Sequence, residues 1–168
     1  VTGVQTCALP ICLTESDISL KFSKILKPKL EKYGAKVYLT RKEDIDVLLR
    51  ERGDLAAKYN PDFMLSIHMN YFPNSTMEGC EIYHFIGDTE SKRLGEIMLK
   101  RLEGDIEIVN RGVKEGKYSL FKNVGNNLLI VELGFLSNIN DEMKFLDSTY
   151  LNKMAESMTK GIIEYYEN

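Results

Sequence analysis

The sequence predicts an α/β fold with a mainly parallel central sheet and helices on both faces. Three observations predict it. Apolar residues recur at helical spacing in several separate stretches. Two short, nearly continuous apolar runs, Phe63–Ile67 and Leu128–Val131, read as strands buried on both faces, as parallel strands are. Strands and helices also alternate along the chain instead of clustering by type.

The elements follow in order. Thr14 and Asp17 stand as a capping pair, Thr-x-x-Asp, and Ile18, Phe22, Ile25, Leu26 and Leu30 share one helical face. Pro28 inside this pattern should kink or shorten the helix, and Gly34 is a suitable stop. Val37-Tyr38-Leu39 reads as a strand ending at Thr40-Arg41. A second helix is expected from about Asp46 to Tyr59, stopped by Asn60-Pro61. The run Phe63–Ile67 ends in His68-Met69-Asn70, and Asn74 to Gly79 is loop. Cys80 to Ile86 is another strand. Leu94, Ile97, Met98, Arg101 and Leu102 mark a helix, and Ile106 to Val109 a short strand. Asn127 to Glu132 is a buried strand, followed by Leu133-Gly134-Phe135. Leu151, Met154, Ala155, Met158, Ile162 and Tyr165 mark the last helix.

Composition narrows the function. A net charge of −3 with interleaved signs argues against nucleic acid as a partner. No apolar run approaches the roughly 18 residues of a membrane span, so none is expected. Cys7, Cys12 and Cys80 are too few, and odd in number, to frame a disulfide scaffold. Residues 1–12 have no helical or strand period and lack the charged start and apolar stretch of a signal peptide. They read like the conceptual translation of a sequencing-library adapter. Residues 1–12 are therefore expected to be non-native and residues 13–168 to form one domain.

In α/β sheets, sites form beyond the carboxyl ends of strands. The run Phe63–Ile67 delivers His68 there, and Leu128–Val131 delivers Glu132. The residues alone leave two readings open for each. One is a functional site; the other is a hydrogen-bonded core histidine and a rim carboxylate paired with a cation. His84 lies mid-strand on the face of Cys80 and Ile82 and reads as structural. The chain has no His-Glu-x-x-His helix and no Gly-x-Ser-x-Gly elbow. Gly112 to Ser119 resembles a phosphate loop only faintly, because its glycines are too close and Tyr118 intervenes. A cysteine hydrolase built on Cys80 and His68 would lack a helix N-terminus to lower the thiol's pKa.

More specific are the strings Leu39-Thr40-Arg41, Asp44, Arg52, Ser66-Ile67-His68-Met69-Asn70, Asn110-Arg111-Gly112-Val113-Lys114 and Val131-Glu132-Leu133-Gly134-Phe135-Leu136-Ser137-Asn138. In this order they resemble the zinc-dependent N-acetylmuramoyl-L-alanine amidases, over Leu13 to about Tyr166. That family holds zinc with a His, a Glu and a second His, and uses a further Glu as base. The resemblance implies Glu15 and His68 as zinc ligands and Glu132 as the base. The family's first His, in a Gly-His-Gly-Gly-like loop after a first strand, has no counterpart here. The resemblance therefore also implies that the sheet lacks its first strand and that zinc binding and activity are impaired in this chain. Asn70 and Arg111 are expected to shape the substrate groove. Arg41 and Arg52 are expected to be structural.

These residue types suit hydrolysis of the amide between N-acetylmuramic acid and L-alanine. A zinc with three protein ligands keeps one position for water and lowers that water's pKa. A nearby carboxylate can move the proton from water to the leaving amine. Peptidoglycan is the implied partner, in the cell wall or outside the cell, with the protein acting as a monomer. A non-catalytic peptidoglycan-binding domain is the alternative, though binding alone has no need of Glu132. If the amidase reading holds, Glu15, His68 and Glu132 should converge within about 8 Å, the span of a metal and its water.

Overall fold

The computed structural model describes residues 13–125 and 127–168. The adapter-like segment expected at residues 1–12, with Cys7 and Cys12, lies outside the described residues. The described elements are α1 (Glu15–Glu31), α2 (Leu49–Tyr59), β1 (Met64–Asn70), β2 (Cys80–Phe85), α3 (Thr89–Asp105), β3 (Asn110–Gly116), α4 (Ser119–Val124), β4 (Leu128–Phe135), α5 (Ile139–Leu146) and α6 (Ser148–Glu167). Among the described residues four strands form one sheet in the order β1-β4-β2-β3. β1 runs parallel to β4, and β2 parallel to β3; the two pairs meet at an antiparallel β2–β4 seam. The α/β sheet with mostly parallel pairing agrees with the sequence reading.

The two-residue period of the strands sorts side chains to two faces. On one face Leu129, Val131 and Leu133 of β4, with Cys80 and Ile82 of β2, pack against apolar residues of α1, α3 and α6. On the other, Leu128 and Ile130 pack against Leu120 and Phe121 of α4, flanked by Met64, Tyr83 and Phe85. Each fully buried aliphatic side chain contributes roughly 1.5–3 kcal/mol, so the larger first cluster supplies most of the hydrophobic stabilisation. The second cluster is small, and the same face carries on into Ser66, His68 and Asn70 of β1 and Glu132 of β4.

One carboxylate joins two distant pieces of backbone. Asp141, buried in α5, accepts the main-chain N–H of Gly79 and of Phe135, each at 2.9 Å. It approaches so closely that a Cβ on Gly134 would lie 2.9 Å from its Oδ2 and 2.9 Å from the Phe145 ring. Glycine at 134 is therefore a packing requirement. Asn138 caps α5, its side chain accepting the N–H groups of Asn140 and Asp141.

Several expectations are corrected. Val37–Leu39 forms no strand among the described residues. Among the described residues the segment has no ladder partner. Among the described residues β1 is an edge strand, and a cavity of about 1350 Å³ is lined by β1, α1 and this segment together. Lys27 Nζ instead holds the Val37 carbonyl at 2.7 Å, and the Tyr38 ring stacks on Tyr59 at 3.9 Å. The second helix begins at Leu49, because Leu48 is extended and its N–H donates to Glu51. The strand expected at Ile106–Val109 lies later, at Asn110–Gly116. Ile106 closes α3 by donating to the Leu102 carbonyl. As an edge strand β3 is polar, so it lacks an apolar run. α1 continues through Pro28 to Glu31. α4 and α5 are too short for their period to stand out.

Replacing Asp141 by alanine leaves two buried N–H groups unpartnered. The expected loss is about 2–5 kcal/mol in urea denaturation, and Asp141→Asn, which keeps an acceptor oxygen, should lose clearly less.

Candidate active site

Thr14 decides where α1 begins: its side chain accepts the Asp17 N–H at 3.1 Å. This leaves Glu15 in the first turn with its carboxylate reaching β1. Glu15 Oε1 lies 2.7 Å from His68 Nδ1 and also faces the Met69 N–H at 3.4 Å. The other ring nitrogen of His68 lies 2.9 Å from Ser66 Oγ. Burial works against charge on the imidazole, yet the hydrogen bond to Glu15 and the charges of Glu132 and Glu15 outweigh it and raise the His68 pKa.

The sheet register aligns the rest. His68 of β1 is the Cα partner of Glu132 of β4, and Glu132 is the partner of Glu81 of β2. Partnered residues present their side chains to the same face. Glu15, His68 and Glu132, far apart in sequence, thus come together, and Glu81 adjoins them. Glu132 Oε2 is buried without a hydrogen-bond partner, a rare condition for a carboxylate oxygen. Burial chiefly pushes its pKa up, opposed by His68 and reinforced by Glu15 and Glu81, to about 7.

Glu81 is 3% exposed and accepts from four side chains. Asn70 Nδ2 and Tyr83 OH donate to its Oε1, each at 2.7 Å; Arg111 Nε at 3.0 Å and Lys114 Nζ at 2.6 Å donate to its Oε2. Burial opposes its charge, but Lys114, Tyr83 and Arg111 hold the carboxyl below the usual glutamate range. Two bulges arrange these donors. Between His68 and Asn70 the register shifts by one, so Asn70 pairs with Phe135. The Arg111 guanidinium lies over that phenyl ring, 5.2 Å from its centre. In β3 an extra residue falls between the partners of Cys80 and Ile82, where Gly112 takes φ +85°. The bulge turns both Arg111 and Lys114, three positions apart, to the face of Glu81.

Asn70 and Arg111 thus lie beside the Glu15–His68–Glu132 group, locked to Glu81. Sequence reasoning missed Glu81, Tyr83 and Lys114. The available signal was a lone carboxylate inside the otherwise apolar strand Cys80–Phe85. Arg41 and Arg52 bond mostly to nearby backbone and hydroxyl groups, Ser16 O and Ser19 Oγ for the first, Val47 O and Thr40 Oγ1 for the second. His84 is buried and donates from Nδ1 to the Phe85 carbonyl. Cys80 is fully buried on the opposite face from His68, and burial pushes its thiol pKa far up, which removes the cysteine-hydrolase reading.

Because the folded pKa of Glu132 is raised above its ordinary value of 4.5, the protonated folded state is favoured. Its contribution is full below about pH 4.5 and is lost as pH rises through about 7. In the metal-free protein, Glu132→Gln should therefore gain stability relative to the parent as pH rises across that window. A stability difference that stays flat with pH would contradict the burial of this charge.

Comparison with known proteins adds to this geometry. The family model described as N-acetylmuramoyl-L-alanine amidase matches residues 6–164. The chain is 32% identical over 159 residues to the N-acetylmuramoyl-L-alanine amidase LytC of Bacillus subtilis (strain 168), covering 92% of this chain and 32% of that relative. It thus spans about a third of LytC. The germination-specific N-acetylmuramoyl-L-alanine amidase of the same organism is 27% identical over 170 residues, covering 92% of this chain and 71% of the relative. Among solved structures, the N-acetylmuramoyl-L-alanine amidase AmiC2 of Nostoc punctiforme aligns with a TM-score of 0.87 at 26% identity, over 98% of this chain and 91% of that one. With the fold, the paired His68 and Glu132 and the matched length in agreement, this chain belongs to the N-acetylmuramoyl-L-alanine amidase family.

Proposed function

We propose that this chain hydrolyses the amide bond between N-acetylmuramic acid and L-alanine in peptidoglycan, with zinc held by Glu15 and His68 and with Glu132 as the general base. The observation that carries the reading is the buried, unpartnered Glu132 oxygen beside the Glu15–His68 pair. A carboxylate kept without a partner is costly to fold, and the reaction gives it a use. The donor chemistry fits zinc: an imidazole nitrogen and a carboxylate oxygen converge at one point. When bound, zinc supplies Lewis acidity and lowers the pKa of water.

The chain's own residues do the rest. With a pKa near 7, Glu132 can accept a proton from the attacking water at neutral pH and return it to the leaving amine. Its place within β4, paired on both sides, mounts it rigidly. Asn70 and Arg111 line the substrate groove, held by Glu81. The place of action is the cell wall or its exterior; no helix among the described residues is long and apolar enough to cross a membrane.

Catalytic zinc sites take three protein ligands. No group of three or more His, Cys, Asp or Glu side chains able to hold a metal forms among the described residues. With Glu15 and His68 as its only protein ligands, zinc would be held weakly and cleavage would be slow.

The test follows new N-terminal alanine released from purified peptidoglycan with saturating zinc. Release should stop with a chelator. Glu132→Gln should lower it by at least about a hundredfold, the lower range for loss of a general base, while zinc binding is retained. Release that ignores the chelator, or that survives Glu132→Gln, would overturn the reading.

A further inference from the structure

Lys114 and Arg111 have a charge balance that the proposed chemistry does not use. Two cations share one carboxylate, Glu81, at 2.6 and 3.0 Å. One positive charge remains in excess on this patch. The Arg111 guanidinium is fixed on three sides, by Glu81, by the Glu78 carbonyl at 3.4 Å and by the Phe135 ring. Its side chain is 24% exposed and that of Lys114 is 39% exposed. Both heads are thus oriented from behind and open in front. Such a fixed fork beside a lysine suits a carboxylate.

We propose that Arg111 and Lys114, gathered by Glu81, form a subsite for a carboxylate on the peptide part of the substrate. The proposal rests on the amidase reading above, which supplies the peptide. The alanine amine leaves attached to a peptide, and peptides carry carboxylates at their end and on acidic residues. Position sets which carboxylate. β4, β2 and β3 are successive neighbours, so Arg111 lies two strand spacings from Glu132, on the order of 10 Å. An extended peptide covers that in about three residues at ~3.3 Å each. The subsite therefore takes a carboxylate on the second or third residue counted from the alanine. Glu81 is a positioning residue: it touches no substrate and acts by holding the two cations on one spot.

Binding is measured by calorimetry in the Glu132→Gln background loaded with zinc, so that nothing is cleaved. The probes are an N-acetylmuramoyl tripeptide beginning with L-alanine, with free carboxylates on residues two and three, and the same compound with both converted to carboxamides. The carboxylate form should bind about tenfold tighter, the scale of one charge-assisted contact, with an advantage that shrinks as salt is raised. N-acetylmuramoyl-L-alanine, whose only carboxylate on the peptide side is on the alanine, should show no such advantage over its own amide.

Lys114→Gln, at a half-buried position on the edge strand β3, should remove most of the discrimination without changing the melting temperature by more than a few degrees. Glu81→Gln separates positioning from charge. It adds a net positive charge, so a simple charge effect would raise the carboxylate preference, whereas loss of aim lowers it. The proposal requires that it fall. An unchanged or higher preference in Glu81→Gln, or equal binding of the two tripeptides by the parent, overturns the subsite and leaves the amidase reading standing. Failure of the folded protein to bind either tripeptide overturns the amidase reading, and the subsite with it.

Discussion

The register of β1 against β4 and of β4 against β2 is the constraint on which the site depends. It sets His68, Glu132 and Glu81 in one row across three strands, all on one face. A slip of one residue would turn every side chain of a strand to the opposite face. For β1, that would bury His68 and Asn70 among the core residues and expose Leu65, Ile67 and Met69. The apolar face therefore fixes the register, and the polar row inherits its geometry from hydrophobic packing it takes no part in.

Such a row raises an electrostatic problem. Glu81 and Glu132 are direct partners across an antiparallel pair, where like charges are unfavourable. Each carboxylate resolves it differently. Glu81 stays ionised because Lys114 and Arg111 neutralise it. Glu15 meets His68, whose proton affinity is raised in turn. Glu132 has no cation of its own and holds its proton up to about pH 7. Glu81 and Glu132 thus shift in opposite directions, and the difference comes from the neighbours.

Much of the specific sequence string after Glu132 is structural. Gly134 makes room for the Asp141 carboxylate, and Phe135 offers it an N–H. Ser137 Oγ accepts the Phe72 N–H, and Asn138 caps α5 while donating to the Ser75 carbonyl. These contacts tie the end of β4 to the loop after β1. They hold β4, which carries Glu132, and the loop after β1 in fixed relation.

By itself the sequence determined the α/β class, because local periodicity encodes which face of an element is buried. Helical spacing marked α1, α3 and α6, and the apolar runs marked β1 and β4. It also marked His68 and Glu132, since an ionisable residue closing an apolar run is a local signal, although β4 runs past Glu132 to Phe135. Periodicity does not encode which element pairs with which. Tertiary structure alone decided that β2 joins β4 antiparallel, that Val37–Leu39 stays out of the sheet and that the polar edge strand lies at Asn110–Gly116. It alone brought Glu15 to His68 across 53 positions and made Glu81 the centre of the basic cluster. Each of these rests on contacts between residues distant in the chain, and the Gly112 bulge, which puts Arg111 and Lys114 on one face, has meaning only against a paired strand.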